Sequence, residues 1–151
     1  MVAACGSSGG SARATKVLEG PGFSFSAPAT WSVRRAPGSV AVRRQGATVS
    51  AAVYRIGKAY DPSQFALAAR ELDAVAARAA AVAGGRITQS RTTSVASRKA
   101  RVYDLATPNR KLHIGFLLDG RREFQLLCEA PLAAAFPDAA CALLFSSFAL
   151  R

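Results

Sequence analysis

The sequence predicts an α+β domain: a mostly antiparallel sheet packed with a long central helix and a short C-terminal helix. Several short segments alternate apolar and polar residues and are joined by tight-turn dipeptides, the pattern of β-hairpins. Residues 62–83 instead have helical spacing, and a last apolar segment follows Pro137. Because consecutive hairpins give antiparallel neighbours, we expect the helices to cover one or both faces of the sheet, as in an α/β/α sandwich.

Length and composition indicate one folded domain behind a tether. The chain has 151 residues, enough to bury a sizeable core, and 50% of them are apolar. Much of that fraction is alanine, so we expect the core to depend on the eight phenylalanines. Residues 1–19 are the predicted tether: up to about Lys16 they are mostly Gly, Ser and Ala with two cations and show no periodicity, which is typical of a flexible segment. Residues 20–151 are the predicted domain.

The first half of the domain predicts two hairpins. In residues 22–33, "GFSFSAPATWSV", phenylalanine and serine alternate until Pro28, which cannot donate a ladder hydrogen bond and so ends that strand. The alternation then resumes at Trp31. Residues 39–44 and 47–56 are rich in β-formers and are separated by Gln45-Gly46, a dipeptide suited to a tight turn.

The central helix has start and stop signals. Asp61 or Ser63 can cap its N-terminus, and Pro62 is tolerated in a first helical turn. Apolar residues then recur near helical spacing until Gly84-Gly85, which favours termination.

The second half predicts further strands and the last helix. Residues 86–97 are polar and suit an exposed edge strand, whereas residues 100–107 alternate. Residues 111–130 form the strongest hairpin pattern, with Asp119-Gly120 placed to form a type I′ turn. Pro137 suits the first turn of a helix running to about Phe145.

The formal net charge of +11 has three interpretations. Scattered cationic doublets that flank turns are typical of solvated strand ends, but the charge also suits an anionic membrane or polymer, or nucleic acid. The scatter disfavours nucleic acid, because such sites usually cluster cations with aromatic residues. The residues predicted to contact an anionic partner, if they share a face, are Arg43, Arg44, Arg55, Arg98 and Arg101.

Two of the three cysteines are placed to pair. Cys128 lies late in the last predicted strand, and Cys141 lies in the helix that follows. A bridge would close a loop worth about 3 kcal/mol in the chain-entropy model. The alternative is two buried, reduced thiols. Two cysteines and a single histidine fall short of a zinc ligand set, and we expect no metal or cofactor.

Cys5 would then be the unpaired third cysteine. A disulfide implies an oxidising compartment, where a free thiol needs an explanation, and lipidation supplies one. Residues 2–5, "VAAC", followed by "GSSGG", resemble a bacterial lipobox, with Val2 in place of the usual leucine. The resemblance implies a lipid on Cys5 and an extracytoplasmic domain held at a bacterial cell membrane. Positions 1–4 are too short for an apolar signal region, so this interpretation implies a start codon upstream of Met1.

Residues 20–150 resemble the PsbP/Mog1-like family as it occurs in small bacterial lipoproteins. The resemblance rests on "GFSFSAPATWSV", the helix over residues 62–83, the strand holding Tyr103, and the C-terminal "CEAPLAAAFPDAACALLFSSFAL". It implies an α/β/α sandwich with a non-enzymatic, partner-binding role. The role of the plant photosystem members is not carried over, because no residue here matches a photosystem-binding or metal site of theirs.

We therefore expect a non-enzymatic, envelope-anchored lipoprotein that acts as a binding or accessory module for an envelope protein or anionic polymer. The alternative is a binder of nucleic acid or another anionic polymer. A hydrolase would need an orienting group for His113, which spacing does not reveal, so we interpret this histidine as a half-exposed sheet residue. Nor does spacing pair the candidate acids Asp104, Asp119 and Glu129.

A ligand pocket between sheet and helix is a further prediction, against the simpler interpretation of its aromatic residues as core and surface positions. The aromatic candidates for such a pocket are Trp31, Tyr54, Tyr60 and Tyr103.

Overall fold

The computed structural model describes residues 13–151, which form two antiparallel sheets and two helices. Cys5 and most of the predicted tether lie outside the described residues. The predicted α+β class, with its long central helix and short C-terminal helix, is confirmed. The strands are β1 Thr15–Gly20, β2 Phe23–Pro28, β3 Ser32–Ala36, β4 Ser39–Arg44, β5 Ala47–Arg55, β6 Arg86–Val95, β7 Arg98–Ala106, β8 Arg110–Asp119, β9 Arg122–Pro131 and β10 Ala149–Leu150. The helices are α1 Phe65–Val82 and α2 Asp138–Ser147.

The large sheet has seven strands in the order β3-β4-β5-β9-β8-β7-β6, and all its neighbours are antiparallel. Alternate side chains point to opposite faces. One face, the core face, carries buried apolar residues such as Val49, Leu126 and Cys128. The other, the helix face, carries Tyr103 and Arg101 of β7 beneath α1.

The core lies between the large sheet and a second layer. That layer consists of the three-stranded sheet β1-β2-β10 together with α2, which packs against β2, β5 and β9. Phe23 and Phe148 contribute rings from this layer, and both rings pack edge-on against Phe124 of β9. All three side chains are at least 97% buried, consistent with the expected dependence on phenylalanine.

The folded chain begins earlier than the predicted boundary at residue 20. Residues 15–20 form β1, which pairs along its whole length with β2. Leu18 is buried there, and Lys16 donates hydrogen bonds to the carbonyl oxygens of Ala29 and Trp31. The predicted tether therefore includes a strand, because β2 needs a partner on this side to satisfy its backbone groups.

The C-terminal strand β10 was not predicted. It pairs with the other side of β2, through Ala149 opposite Ser24 and Leu150 opposite Phe23. Two residues are too few to show a period-2 pattern, so no sequence signal marks this strand.

Helix α1 is entered through a 3₁₀ turn over residues 62–64. Asp61 caps that turn by accepting a hydrogen bond from the backbone N–H of Ser63. Gly84 ends the helix with φ of +70°, as predicted from the Gly-Gly pair. The helix packs on β6 and β7 through Ala76 and Ala80, whose small side chains let it approach closely.

The hairpin turns depart from prediction in one place. Gln45 and Gly46 both have positive φ, as a type I′ turn requires, and so do Ala96 and Ser97 between β6 and β7. At the third turn the predicted type I′ conformation at Asp119-Gly120 is wrong. Asp119 pairs with Arg122, so the loop is Gly120-Arg121, and positive φ at Gly120 alone fits a type II′ turn.

A disulfide joins Cys128 of β9 to Cys141 of α2, with their Cα atoms 5.7 Å apart. Both cysteines are buried. The bridge fastens α2, a helix of ten residues whose N-cap makes no side-chain hydrogen bond, to the core face.

Candidate functional site

The sheet is wider than the layer that covers it, and this leaves a cleft. The small sheet and α2 lie over the β4, β5 and β9 part of the core face, so the core face of β6, β7 and β8 is left partly open. The resulting cleft has a volume of about 440 Å³. Its floor is Val102 and His113, and its two walls are β6 and α2.

Arg91 and His113 line the cleft and form a polar cluster with Asp104, which lies on the strand between theirs. Asp104 and His113 are direct neighbours across the β7–β8 pairing, and His113 Nδ1 lies 2.5 Å from Asp104 Oδ1. Because a carboxylate can only accept, Nδ1 donates this hydrogen bond. Arg91 Nη1 lies 3.6 Å from Asp104 Oδ2, which is an ion pair without a hydrogen bond.

His113 is thus more constrained than predicted. Its side chain is 16% exposed, and its ring centroid lies 4.9 Å from that of Phe145 on α2. Asp104 is the orienting group that spacing along the chain did not reveal. Among residues 13–151, the hydrogen-bond partner of the imidazole is the Asp104 carboxylate, and no hydroxyl or thiol is bonded to it.

Gly115 allows Phe145 to approach the sheet. A Cβ at this position would lie 2.7 Å from Phe145 Cε1, closer than packed carbon atoms tolerate. Because Gly115 has no Cβ, the Phe145 ring can pack against the sheet beside His113 and close one side of the cleft.

The disulfide fixes a wall of the cleft. Cys141 lines the cavity, and its bond to Cys128 holds α2 at a set distance from the sheet. Within residues 13–151, no group of three or more His, Cys, Asp or Glu side chains is placed to hold a metal ion. In the same range, no helix is both long and apolar enough to cross a bilayer.

The five predicted anion-contacting arginines do not share a face. By register, Arg43 of β4 and Arg101 of β7 are on the helix face, with three strands between them. Arg44, Arg55 and Arg98 point to the opposite side. Two of the five are already paired, since Arg98 contacts Asp119 at 3.0 Å and Arg101 contacts Asp73 at 2.8 Å.

The pairing of Arg101 belongs to a second polar cluster, under α1. Arg101 makes a bidentate contact with Asp73, through Nε to Oδ1 at 2.8 Å and Nη2 to Oδ2 at 3.1 Å. Tyr103 also donates its hydroxyl to Asp73. Hydrogen bonding from Arg101 lowers the pKa of Asp73, and burial, followed by the bond to Asp73, raises the pKa of Tyr103. This cluster attaches α1 to β7 and leaves no group free for a ligand.

The other predicted candidates are dispersed. None of the four predicted pocket aromatics lines the cleft beside α2: Tyr103 is buried under α1, and Trp31 packs against the core. Tyr54 instead lines a second cavity of about 410 Å³, with Val53, Arg55, Arg121 and Arg122, and Tyr60 lines neither cavity. Asp119 pairs with Arg122 as well as Arg98, and Glu129 pairs with Arg110. The acids are thus bound in separate ion pairs.

Comparison with known proteins assigns the fold. No family model matches the chain, and no curated protein matches it in sequence. The solved structures similar to it include the solution structure of cyanobacterial PsbP (CyanoP) from Synechocystis sp. PCC 6803, at a TM-score of 0.58 and 12% identity, covering 99% of both chains. A crystal structure from Bacteroides thetaiotaomicron VPI-5482 matches at a TM-score of 0.61 and 13% identity over 90% of this chain.

The chain spans only 48% of the Bacteroides protein but the full length of cyanobacterial PsbP. The match to the latter includes the long central helix, the short C-terminal helix and the antiparallel sheets described above. At identities of 12–13%, these matches establish a similarity of fold and no similarity of function. Residues 13–151 therefore have a PsbP-like fold.

Proposed function

We propose that this chain is a non-enzymatic binding or accessory module of a bacterial envelope, held at the membrane by a lipid on Cys5, and that it binds its partner in the cleft beside α2. The cleft carries the proposal. It combines apolar lining from Val95, Val102 and Phe145 with an oriented polar cluster on its floor, which is the usual make-up of a binding site.

The polar side chains of the cleft are held in place by one another. Asp104 is engaged by both His113 and Arg91, so its carboxylate offsets positive charge and orients the two side chains that line the cavity. The disulfide-fastened wall supports the proposed binding role, because a fixed wall preserves the shape of a site between binding events.

The proposed anchor rests on the sequence. Residues 6–14 separate Cys5 from β1, which is enough extended chain to hold the domain tens of ångströms from a membrane surface. The disulfide in the structure supports an oxidising compartment, in which a lipid would account for the unpaired Cys5.

The anchor is tested by metabolic labelling with a clickable palmitate analogue in a bacterial host, using the gene with its upstream region. We expect label on the wild-type protein and its loss in Cys5→Ser, with the Cys5→Ser protein leaving the membrane fraction. Label that persists in Cys5→Ser would contradict the proposal.

The cleft is tested by blocking it. Ala142 and Ala139 are both exposed on α2, but only Ala142 lines the cleft. A screen of small molecules and short peptides, read by amide chemical shifts, should give ligands that perturb Val102 and that no longer bind to Ala142→Trp. The matched variant Ala139→Trp should bind them unchanged. Ligands whose affinity is unchanged by both substitutions would contradict the assignment of the binding site. Chemical conversion of a bound ligand that is lost in His113→Ala would contradict the non-enzymatic role.

A second function, binding of an anionic polymer, has one structural observation in its favour. Arg34 and Arg43 lie on the same face of the β3–β4 hairpin, are both exposed, and form no ion pair within the described part of the chain. We would then expect binding to polyphosphate or single-stranded DNA that weakens steeply with salt. Arg43→Glu should reduce the slope of log affinity against log salt by about one. Salt-insensitive or absent binding would remove this function.

A further inference from the structure

Strand β6 is a long sheet edge that no other described element covers. It is last in the strand order, pairs only with β7, and has ten residues. Residues 88–92 are all exposed. Every second residue of an edge strand points its N–H and C=O groups away from its neighbour, so β6 presents a row of backbone groups to solvent.

The opposite edge of the same sheet is protected in the usual way. Strand β3 has only five residues and carries two adjacent arginines, Arg34 and Arg35. Short length and charge are the means by which natural sheets prevent another strand from adding. In β6 the register irregularity between Ile87 and Gln89 interrupts only the beginning of the strand, and residues 90–95 stay in regular register.

The open part of β6 is also a wall of the cleft. Arg91, Thr93 and Val95 alternate along the strand, project onto the core face, and line the cavity. A strand added to this edge would direct every second side chain toward the same cavity. The added residues opposite Arg91 and opposite Val95 would be four positions apart, as those two residues are in β6.

Charge and apolar surface indicate what such a strand contains. The two charged residues of β6 are both arginines, Arg86 and Arg91. The Arg91 side chain is 45% exposed and meets Asp104 only at 3.6 Å, so it is able to contact a second carboxylate. At the other end, Val95 lines the cleft together with Phe136 and Phe145, and this apolar surface suits an apolar side chain.

We propose that β6 binds an extended acidic peptide as an additional antiparallel strand, like every other pair in this sheet, with an apolar side chain opposite Val95 and a carboxylate side chain four residues later opposite Arg91. This inference rests on the proposed function and names the partner of that cleft. Pairing of β6 with a second copy of itself is disfavoured, because strand-to-strand contact would bring arginines of both copies to one edge.

The test uses the full chain and a synthetic peptide, acetyl-Thr-Leu-Thr-Val-Thr-Glu-Thr-amide, which as an antiparallel strand places Leu opposite Val95 and Glu opposite Arg91. Binding is measured by calorimetry and by amide chemical shifts. We expect the largest shifts at residues 90–95 and slower hydrogen exchange there. A peptide with Pro in place of the Thr between Val and Glu, which lies opposite Thr92 and would donate its N–H to β6, should bind at least tenfold more weakly.

A charge exchange identifies the contact at Arg91. Arg91→Glu should weaken binding of the Glu peptide roughly tenfold and favour a peptide with Lys in that position. Arg34→Glu removes the same charge from the opposite edge strand and serves as the matched control, with binding unchanged. A circular dichroism spectrum and unfolding midpoint like those of the wild type establish that each variant is folded.

Three results would overturn the inference: equal binding of the Pro peptide, equal effects of Arg91→Glu and Arg34→Glu, or shifts at the cleft without exchange protection in β6. The last result would leave the proposed function intact, because the cleft would still bind. Two further results would overturn the inference by identifying another occupant of β6. One is dimerisation through β6, and the other is binding of polyphosphate at β6 without binding of the peptide.

Discussion

The disulfide between Cys128 and Cys141 should carry a large share of the stability of this domain. Its two residues are 13 apart in sequence, and closing a loop of that length in the unfolded chain is worth about 3 kcal/mol. Typical domains are stable by only 5–15 kcal/mol in total, so the loss would be evident in any unfolding experiment. Reduction should lower the melting temperature by roughly 6–12 °C for a chain of this size.

The assay is urea and thermal unfolding with and without reductant, together with intact mass. Reduction should add two hydrogen atoms to the mass and shift the urea midpoint downward. Cys5→Ala should show the same response as the wild type, since its remaining two cysteines form the bridge. The double variant Cys128→Ala/Cys141→Ala should be less stable than the reduced wild type, because it also removes two buried sulfur atoms.

An unchanged midpoint on reduction, with the mass showing that the bond had broken, would refute the reasoning. It would mean that α2 is held as firmly by Leu144 and its other buried contacts as by the bridge. A mass that does not change on reduction would refute the pairing itself.

Three further predictions concern the remaining contacts. Asp73→Asn should cost about 1 kcal/mol at pH 7, since it weakens a bidentate contact on a partly exposed residue. Because the folded pKa of Asp73 is lowered, the stability that its carboxylate contributes is complete above the unfolded pKa near 4 and is lost as pH falls through the folded pKa. The difference in free energy of unfolding between Asp73→Asn and wild type, measured in urea, should therefore narrow in acid. A difference that does not change with pH would contradict the assignment. Gly85→Ala should destabilise by about 2 kcal/mol, because its Cβ would lie 2.4 Å from the backbone oxygen of Ala106, whereas Gly57→Ala, with open space around it, should be neutral in the same melting experiment. Gly115→Ala should displace the Phe145 ring, seen as a change in its nuclear Overhauser contacts to the sheet, and an unmoved ring would contradict the packing argument.

Local patterns in the sequence predicted most of the individual elements. These patterns depend on residues that are close in sequence, so they can be predicted without knowing the fold. Examples are the alternation through Phe23 and Phe25, the Gln45-Gly46 turn and the end of α1 at Gly84. The strand β10 is different, because its two residues become a strand only when β2 lies beside them. The division into two sheets depends in the same way on which distant strands meet.

The two polar clusters also differ in whether they can be predicted from the sequence. Asp104 and His113 could be aligned from the sequence by folding the chain back at the turn between β7 and β8, since the two residues are direct cross-strand partners. Arg101 and Asp73 could not, because their contact depends on where α1 docks on the sheet. The cleft itself exists because the covering layer is narrower than the seven-stranded sheet, which is a property of the assembled layers and not of any segment.

The strand order of the small sheet has a consequence for the kinetics of folding. Strand β2 emerges early from the ribosome, yet it lies between β1 and the much later β10. The backbone N–H of Ser26 also donates a hydrogen bond to Ser147 Oγ, 121 residues away. Pairings so far apart in sequence are slow to form, since a long loop must close before they stabilise anything. During synthesis, the edge of β2 that later pairs with β10 therefore stays unpaired. Cells should consequently need to protect this nascent chain from aggregation until its final residues have been released.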